Sequence, residues 1–198
     1  MASDARIRGM SIQARRERER AERERAIVTA ARELAEAEGW DAVTTRRLAA
    51  EIEYSQPVLY SHFSGKDAIM AAVALEGFAA LTAELRAARP DGVAAVAAAY
   101  ADFGERRPAL YDAMFTLAVD LEFASPDSPA PLKEGFGELR ETMRPYASGD
   151  DLELLTETFW SGLHGLLMLM RHGRLRRAEH ERRLALLIGR FSSPVRSR

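Results

Sequence analysis

The chain has 198 residues, 47% of them hydrophobic and 29% charged, a balance that supplies an apolar interior and excludes a disordered or membrane-embedded class. It contains no cysteine, which removes disulfides, zinc ribbons, thiol nucleophiles and cysteine redox sensing. The formal net charge is −2, but residues 1–66 hold 12 of the 28 basic side chains and 11 of the 30 acidic ones, a net of +1 against −3 for the remainder; a nucleic-acid partner requires a basic face and not a basic total.

This length accommodates a small domain and a larger one, each with an apolar interior. The longest strongly apolar run, residues 166–170, is too short to cross a bilayer, and the charged start lacks the core of a signal peptide. A cytoplasmic location without a membrane partner is therefore expected. Arginine and glutamate alternate from Arg15 to Arg25, with Glu19 and Arg23 at a favourable helical spacing. That run reads as a solvated helix extension; the other reading is an arm whose Arg6, Arg8, Arg15 and Arg16 reach DNA. Ile27, Ala31 and Leu34 recur at helical spacing and Gly39 follows as a stop, which predicts a first helix over 18–38 with Trp40 anchoring the turn.

Thr44 caps a second, short helix running to 52, with Leu48 and Ile52 on one buried stripe. After the break at Glu53, Tyr54 and Ser55, a third helix over 56–63 opens with Gln56 and Pro57, proline being well placed in a first turn. Ser64, with Asp67 three residues on, is predicted to cap a long fourth helix over 66–86 that ends before Pro90, Asp91 and Gly92. Further helices are predicted over 93–107, 108–115, 132–146, 151–172 and 179–191, with a proline-rich loop over 124–131 and a break at 148–150. No segment reads as a strand, so the expected class is all-α.

Two short helices around a three-residue turn have the dimensions of a helix-turn-helix. The string Thr44-Thr45-Arg46-Arg47-Leu48-Ala49, then Gln56-Pro57-Val58-Leu59-Tyr60-Ser61-His62-Phe63, then Lys66, resembles the TetR family over roughly residues 25–72. One departure is Glu53, where the family commonly has glycine; it must turn left-handed or remodel the turn. Side-chain chemistry allows Arg46 a bidentate bond to guanine, Gln56 the same with adenine and Pro57 a contact with a thymine methyl, the alternatives being a solvated Arg46, a Tyr60 packed between helices and a His62 bonded locally. The resemblance implies that Thr44, Thr45, Ser55, Tyr60, His62 and Lys66 hold phosphates, and Ser61 belongs to the same contacting stretch. Leu48, Leu59 and Phe63 are core.

In the second half, Trp160, His164 and Gly165 make a Trp-x-x-x-His-Gly pattern, Trp160 and His164 sharing a helical face. With Tyr100, Phe103 and Arg107 to Tyr111, it is similar to a TetR subgroup named for Trp-His-Gly. That resemblance implies a C-terminal domain that pairs through its last two helices and encloses a small-molecule pocket, lined by residues among Tyr100, Phe103, Tyr111, Met114, Phe115, Met143, Trp160 and His164. By spacing alone such residues are more often ordinary core, and His164 reads first as a buried histidine satisfied by a neighbour, with a ligand-facing donor or a metal ligand as the alternatives. Gly162 and Gly165 are expected to allow close helix approach at the dimer interface.

Domain boundaries are drawn as a charged extension over 1–19, a reader over 20–66, and a ligand-binding and dimerisation domain over 67–198. The implied function is a dimeric repressor that binds a palindromic double-stranded DNA operator and is released by a small-molecule inducer. A helical small-molecule-binding protein that does not read DNA, and an activator of the same fold, are the alternatives. No cofactor or metal is expected, since His164, His172 and His180 lack ligand spacing. Catalysis is not expected either. Ser161 and His164 have no acidic partner or oxyanion turn, and Gly65-Lys66 lacks the rest of a phosphate loop.

Overall fold

The computed structural model describes residues 2–117, 121–123, 125–147 and 151–191, with side chains from residue 12 onward. The predicted break at 148–150, part of the 124–131 loop, and the side chains of Arg6 and Arg8 lie outside the described residues. Among those described there are nine α-helices, three short 3-10 turns and no strand. The helices are α1 Ala2–Glu38, α2 Thr45–Glu51, α3 Gln56–Tyr60, α4 Lys66–Ala88, α5 Val93–Arg106, α6 Pro108–Phe115, α7 Ala130–Met143, α8 Leu152–Arg171 and α9 His180–Phe191.

The first helix starts well before residue 18. Good helix formers continue upstream, and their charges close ladder pairs between Arg15 and Glu19 at 3.0 Å and between Arg20 and Glu24 at 2.8 Å. Glu19 thus pairs back to Arg15 and not forward to Arg23. The helix stops where Gly39 turns left-handed at φ 85°.

Helix α3 ends at Tyr60, three residues short of the expectation. The Ser61 N–H is shared between the Pro57 and Val58 carbonyls, which tightens the chain into a turn before Phe63. Ser64 does not cap α4. The cap residue is Gly65, which offers no side chain, and the Ile69 N–H closes the first turn on the Gly65 carbonyl. Phe63 and Ile52 are half-buried, whereas Leu48 and Leu59 are sealed.

Helix α4 packs against α1, α5, α6 and α7 and is the axis of the fold. Residues of α1 to α3 (Ile27, Ala31, Leu48, Leu59) and of the larger body (Val96, Tyr111, Met143, Leu167) belong to one continuous buried cluster through Ile69, Val73, Phe78 and Leu81. The two expected interiors are therefore joined along a shared helix. This stretch is also long and apolar enough to cross a membrane by composition, a property missed when only the 166–170 run is considered, and half of it is buried inside the fold.

A second tie joins the head to the body. Helix α6 begins at Pro108, and the Glu36 carboxylate of α1 accepts the Ala109 and Leu110 N–H groups at 3.1 and 2.9 Å. It satisfies donors that an α-helix leaves open at its start and places a negative charge where the helix dipole favours one. The Trp40 indole N–H donates to the Ala109 carbonyl at 2.8 Å beside it.

Candidate nucleic-acid interface and ligand cavity

Helix α3 is held from beneath by Leu59, which is fully buried, while Gln56, Pro57, Val58 and Tyr60 face outward. One buried anchor under five residues leaves the rest of a short helix as a presented edge. Its angle is set by α2. The Thr44 hydroxyl caps that helix by accepting from the Arg47 N–H at 3.2 Å, and the Thr45 hydroxyl lies 3.3 Å from the Tyr60 hydroxyl. Glu53, in the turn between them, sits at φ 56°. The left-handed alternative is thus the one adopted, and the turn keeps its shape without glycine.

The two adjacent arginines differ sharply. Arg47 forks onto Glu38 at 2.7 and 2.5 Å, and this hydrogen bonding holds the Glu38 carboxyl below its usual range. Arg46 is exposed and makes no ion pair among the described residues. Of these two, Arg46 alone presents a guanidinium without an ion pair among the described residues.

Three further expected contacts, like Thr44, Thr45 and Tyr60, are already engaged within the chain. His62 has a side chain only 5% exposed, with Nδ1 3.3 Å from the Glu24 carboxylate. It faces α1, so a direct phosphate contact requires it to swing out. The Lys66 ammonium donates to the Trp40 carbonyl at 2.5 Å and closes the turn after α1. The Ser61 hydroxyl donates to the Val58 carbonyl at 2.6 Å. Ser55 is exposed and makes no side-chain cap bond. Val58 was missing from the sequence-based set, yet it is exposed beside Pro57 and adds an apolar group to the presented edge. Its one signal was adjacency to buried Leu59, which points the two residues to different faces.

In the body, a cavity of about 620 Å³ lies among α4, α5, α7 and α8. Helix α4 contributes Phe78, Leu81 and Leu85; α7 contributes Leu132, Gly135, Phe136 and Leu139; Tyr100, Phe115 and Trp160 complete the inner wall. Phe78 meets Phe115 and Phe123 edge-on, with ring centroids 5.2 and 5.8 Å apart. The rim carries Ser125, Ser128, Lys133, Glu157 and Ser161.

Of the eight residues expected to line a pocket, Tyr100, Phe115 and Trp160 do so. Phe103, Tyr111, Met114 and Met143 do not; each is packed into the helix interior with at most 1% exposure. His164 is also absent from the wall and stands behind it, bonded to Tyr111. The contribution of α4 was missed because a helix read as a connector gives no sign in sequence of which face will border empty space.

Behind the wall, four polar groups form a chain. The Trp160 indole N–H donates to the Tyr100 hydroxyl at 3.0 Å, the Tyr100 and Tyr111 hydroxyls are 2.7 Å apart, and the Tyr111 hydroxyl is 2.6 Å from His164 Nδ1. Because an indole only donates, every hydrogen is used if Tyr100 donates to Tyr111 and Tyr111 to a neutral His164. Burial raises both phenols above their usual range, and burial followed by the Arg171 charge lowers His164, so each group favours its neutral form.

A groove of about 450 Å³ separates α8 and α9, lined by residues that include Gly162, Gly165, Leu166, Leu186 and Leu187. Gly162 serves contact within the chain: a Cβ there would come within 2.8 Å of Leu187, so the glycine lets α9 approach α8. Gly165 has nothing near it. Leu154, Leu169 and Leu186 are exposed, and α9 buries no residue fully.

Residues 27–73 match the bacterial regulatory proteins of the tetR family, and residues 93–191 match the tetracyclin repressor-like C-terminal domain. That second description does not carry the Trp-His-Gly subgroup. The chain is 26% identical over 149 residues, covering 72% of it and 67% of the relative, to an uncharacterized HTH-type transcriptional regulator, Rv0681, of Mycobacterium tuberculosis. A bacterial regulatory protein in the tetR family from Rhodococcus RHA1 shares its fold with a TM-score of 0.59 at 20% identity, over 87% of this chain and 98% of that one. The TetR family transcriptional regulator PfmR from Thermus thermophilus does so at 0.57 and 18%, over 86% and 99%. Exposed reader edge, all-helical body and both matched segments agree: this chain belongs to the TetR family of transcriptional regulators, DNA-binding proteins that act as dimers.

Proposed function

We propose that the protein is a ligand-responsive repressor that binds a palindromic operator as a homodimer and leaves it when a small molecule fills the cavity. The observation that carries this reading is the continuity of α4. It starts at Lys66, soon after the reader helix ends at Tyr60, and packs against α1, while Phe78, Leu81 and Leu85 farther along form one wall of the cavity. A ligand that prefers a shifted α4 moves both readers of a dimer and changes their separation. The Glu36 and Trp40 bonds to α6 supply a second link, since α6 ends in the cavity residue Phe115.

On this reading residues 20–66 are the DNA-binding part and 67–198 the ligand and dimer part. Arg46, Gln56, Pro57 and Val58 address base edges; Thr44, Thr45, Ser55 and Tyr60 position phosphates. The exposed leucines of α8 and α9 beside Gly165 support pairing through those helices. Two such readers span half-sites one helical turn or a multiple apart.

Binding of the full-length protein to duplexes from its own upstream region, followed by fluorescence anisotropy alongside sedimentation, tests the proposal. The expected outcome is a dimer that prefers one palindromic segment over random duplex by at least about a thousandfold. A monomer, or equal affinity for all duplexes, would overturn it.

A further inference from the structure

The rim of the cavity carries two charges of opposite sign, and they are not equivalent. The Lys133 ammonium donates to the Pro126 carbonyl at 2.5 Å, which holds its position and ties down the turn that brings Ser125 and Ser128 to the rim, although this neutral partner leaves its charge in place. Within that turn the Ser128 hydroxyl accepts the Ser125 N–H at 3.0 Å, so it too is used. Glu157 is different. It lines the cavity one helical turn before Ser161, and none of the ion pairs among the described residues includes it, although Glu153, one turn earlier on α8, is held by Arg140. Inside the rim the wall is aromatic and aliphatic, with the indole N–H of Trp160 and the hydroxyl of Tyr100 already bonded to each other.

A ligand therefore meets a wall of rings whose polar atoms are taken, then at the mouth the Glu157 carboxylate, which has no partner among the ion pairs of the described residues, with the Lys133 ammonium held across the rim against the Pro126 carbonyl. Aromatic rings attract cations and repel anions through the charge distribution of their faces. The part of the chain from residue 67 onward also carries a net −3, which favours arrival of positive charge. Resting on the reading of this cavity as the effector site, the geometry points to an amphipathic organic cation as the ligand class: an aromatic or alicyclic body among Phe78, Phe115, Phe123 and Trp160, and a protonated amine or quaternary nitrogen at Glu157. A volume of about 620 Å³ suits a body of two to four rings.

Three anthracenes with one body and three heads test this on the full-length protein: 9-(aminomethyl)anthracene, 9-anthracenemethanol and 9-anthracenecarboxylate, each titrated by its own fluorescence anisotropy. The amine should bind about tenfold tighter than the alcohol, and the carboxylate weakest. Glu157→Gln should bring the amine down to the level of the alcohol, and Glu157→Lys should make the carboxylate the preferred ligand. Both changes are at an exposed helical position and leave the core untouched. Phe123→Ala, on the partly exposed side of the wall, should weaken all three and so locate them in this cavity.

Tightest binding by the carboxylate, or three equal affinities unmoved by Glu157→Gln, overturns the cationic class while leaving the cavity as a binding site. Failure of all three to bind overturns both. Amine binding that depends on Glu157 without any release of operator DNA upholds the ligand class and instead defeats the repressor mechanism.

Discussion

The head and the body of this molecule expose opposite things. Around α3 the informative groups are outside: Gln56, Pro57, Val58 and Tyr60 stand on a helix that one buried leucine holds down. In the body they are inside, and the most telling feature is a space bounded by residues from several helices. A surface that reads a polymer needs side chains left free. A chamber that admits a small molecule needs walls whose own polar atoms are already satisfied, as those of Tyr100 and Trp160 are.

The largest effect that separates the two regions comes from the anchor. Leu59→Ala removes a fully buried side chain and should cost about 2 to 5 kcal/mol, read as a fall in thermal midpoint together with loss of operator binding. Arg46→Ala and Gln56→Ala lie on the exposed edge and should leave the midpoint unchanged. Each should instead cost about 1 to 3 kcal/mol of operator binding and relax preference at a single base pair, measured across a set of single-substituted duplexes. Equal losses on operator and random DNA would remove them from the base-reading set. Arg47→Ala makes the contrast sharper: the loss of its fork onto Glu38 should affect all duplexes alike.

The same contrast explains how much could be seen in the sequence. Periodicity and stops located every helix among the described residues because those signals are local, although the cap expected for α4 was the wrong residue, and the α6 range was predicted as observed, with Pro108 at its start. The exposed face of α3 was legible only in part: Gln56, Pro57 and Tyr60 face outward with Leu59 beneath them, but Val58 beside them was not singled out and the helix ends at Tyr60. The contacts within the chain that were not legible depend on neighbours distant in the sequence. Nothing near His62 indicates that Glu24, on another helix, will hold its ring, and nothing near Lys66 indicates the Trp40 carbonyl. Tyr111 and Trp160 are both aromatic residues on apolar helix faces, yet one is core and the other cavity wall. Only the relative placement of α4, α5, α6 and α8 decides between them.

The chain of hydroxyls behind the wall offers a smaller test on the body alone. Tyr111→Phe leaves the Tyr100 hydroxyl without an acceptor and His164 Nδ1 without a donor, which should cost about 1 to 2 kcal/mol of stability. Acid should produce a related loss in the unmodified protein. The folded His164 takes up a proton only below the ordinary value of 6.5, because burial, and after it Arg171, disfavours the cation. Between those values the unfolded chain binds the extra proton. This group therefore costs nothing well above 6.5 and destabilises the fold progressively as pH falls below it. Thermal midpoints of the native protein and His164→Gln should converge with falling pH across that window. Parallel curves would show that the imidazole does not titrate against folding.

The smallest expected effect lies in the turn of the reader. Glu53 holds a left-handed conformation, φ 56°, which costs a residue with a side chain roughly 1 kcal/mol more than glycine. Glu53→Gly should recover about that amount in thermal stability, provided the loss of conformational freedom on folding does not offset it. Operator binding should improve slightly as well, because an exposed carboxylate in the turn of the reader is removed from the approach of a polyanion. A gain in stability with unchanged binding would place the Glu53 side chain away from DNA. If Glu53→Gly instead lowers stability, the left-handed residue is held by its surroundings more tightly than the backbone alone accounts for, and the reader's angle depends on the side chain that the family usually lacks.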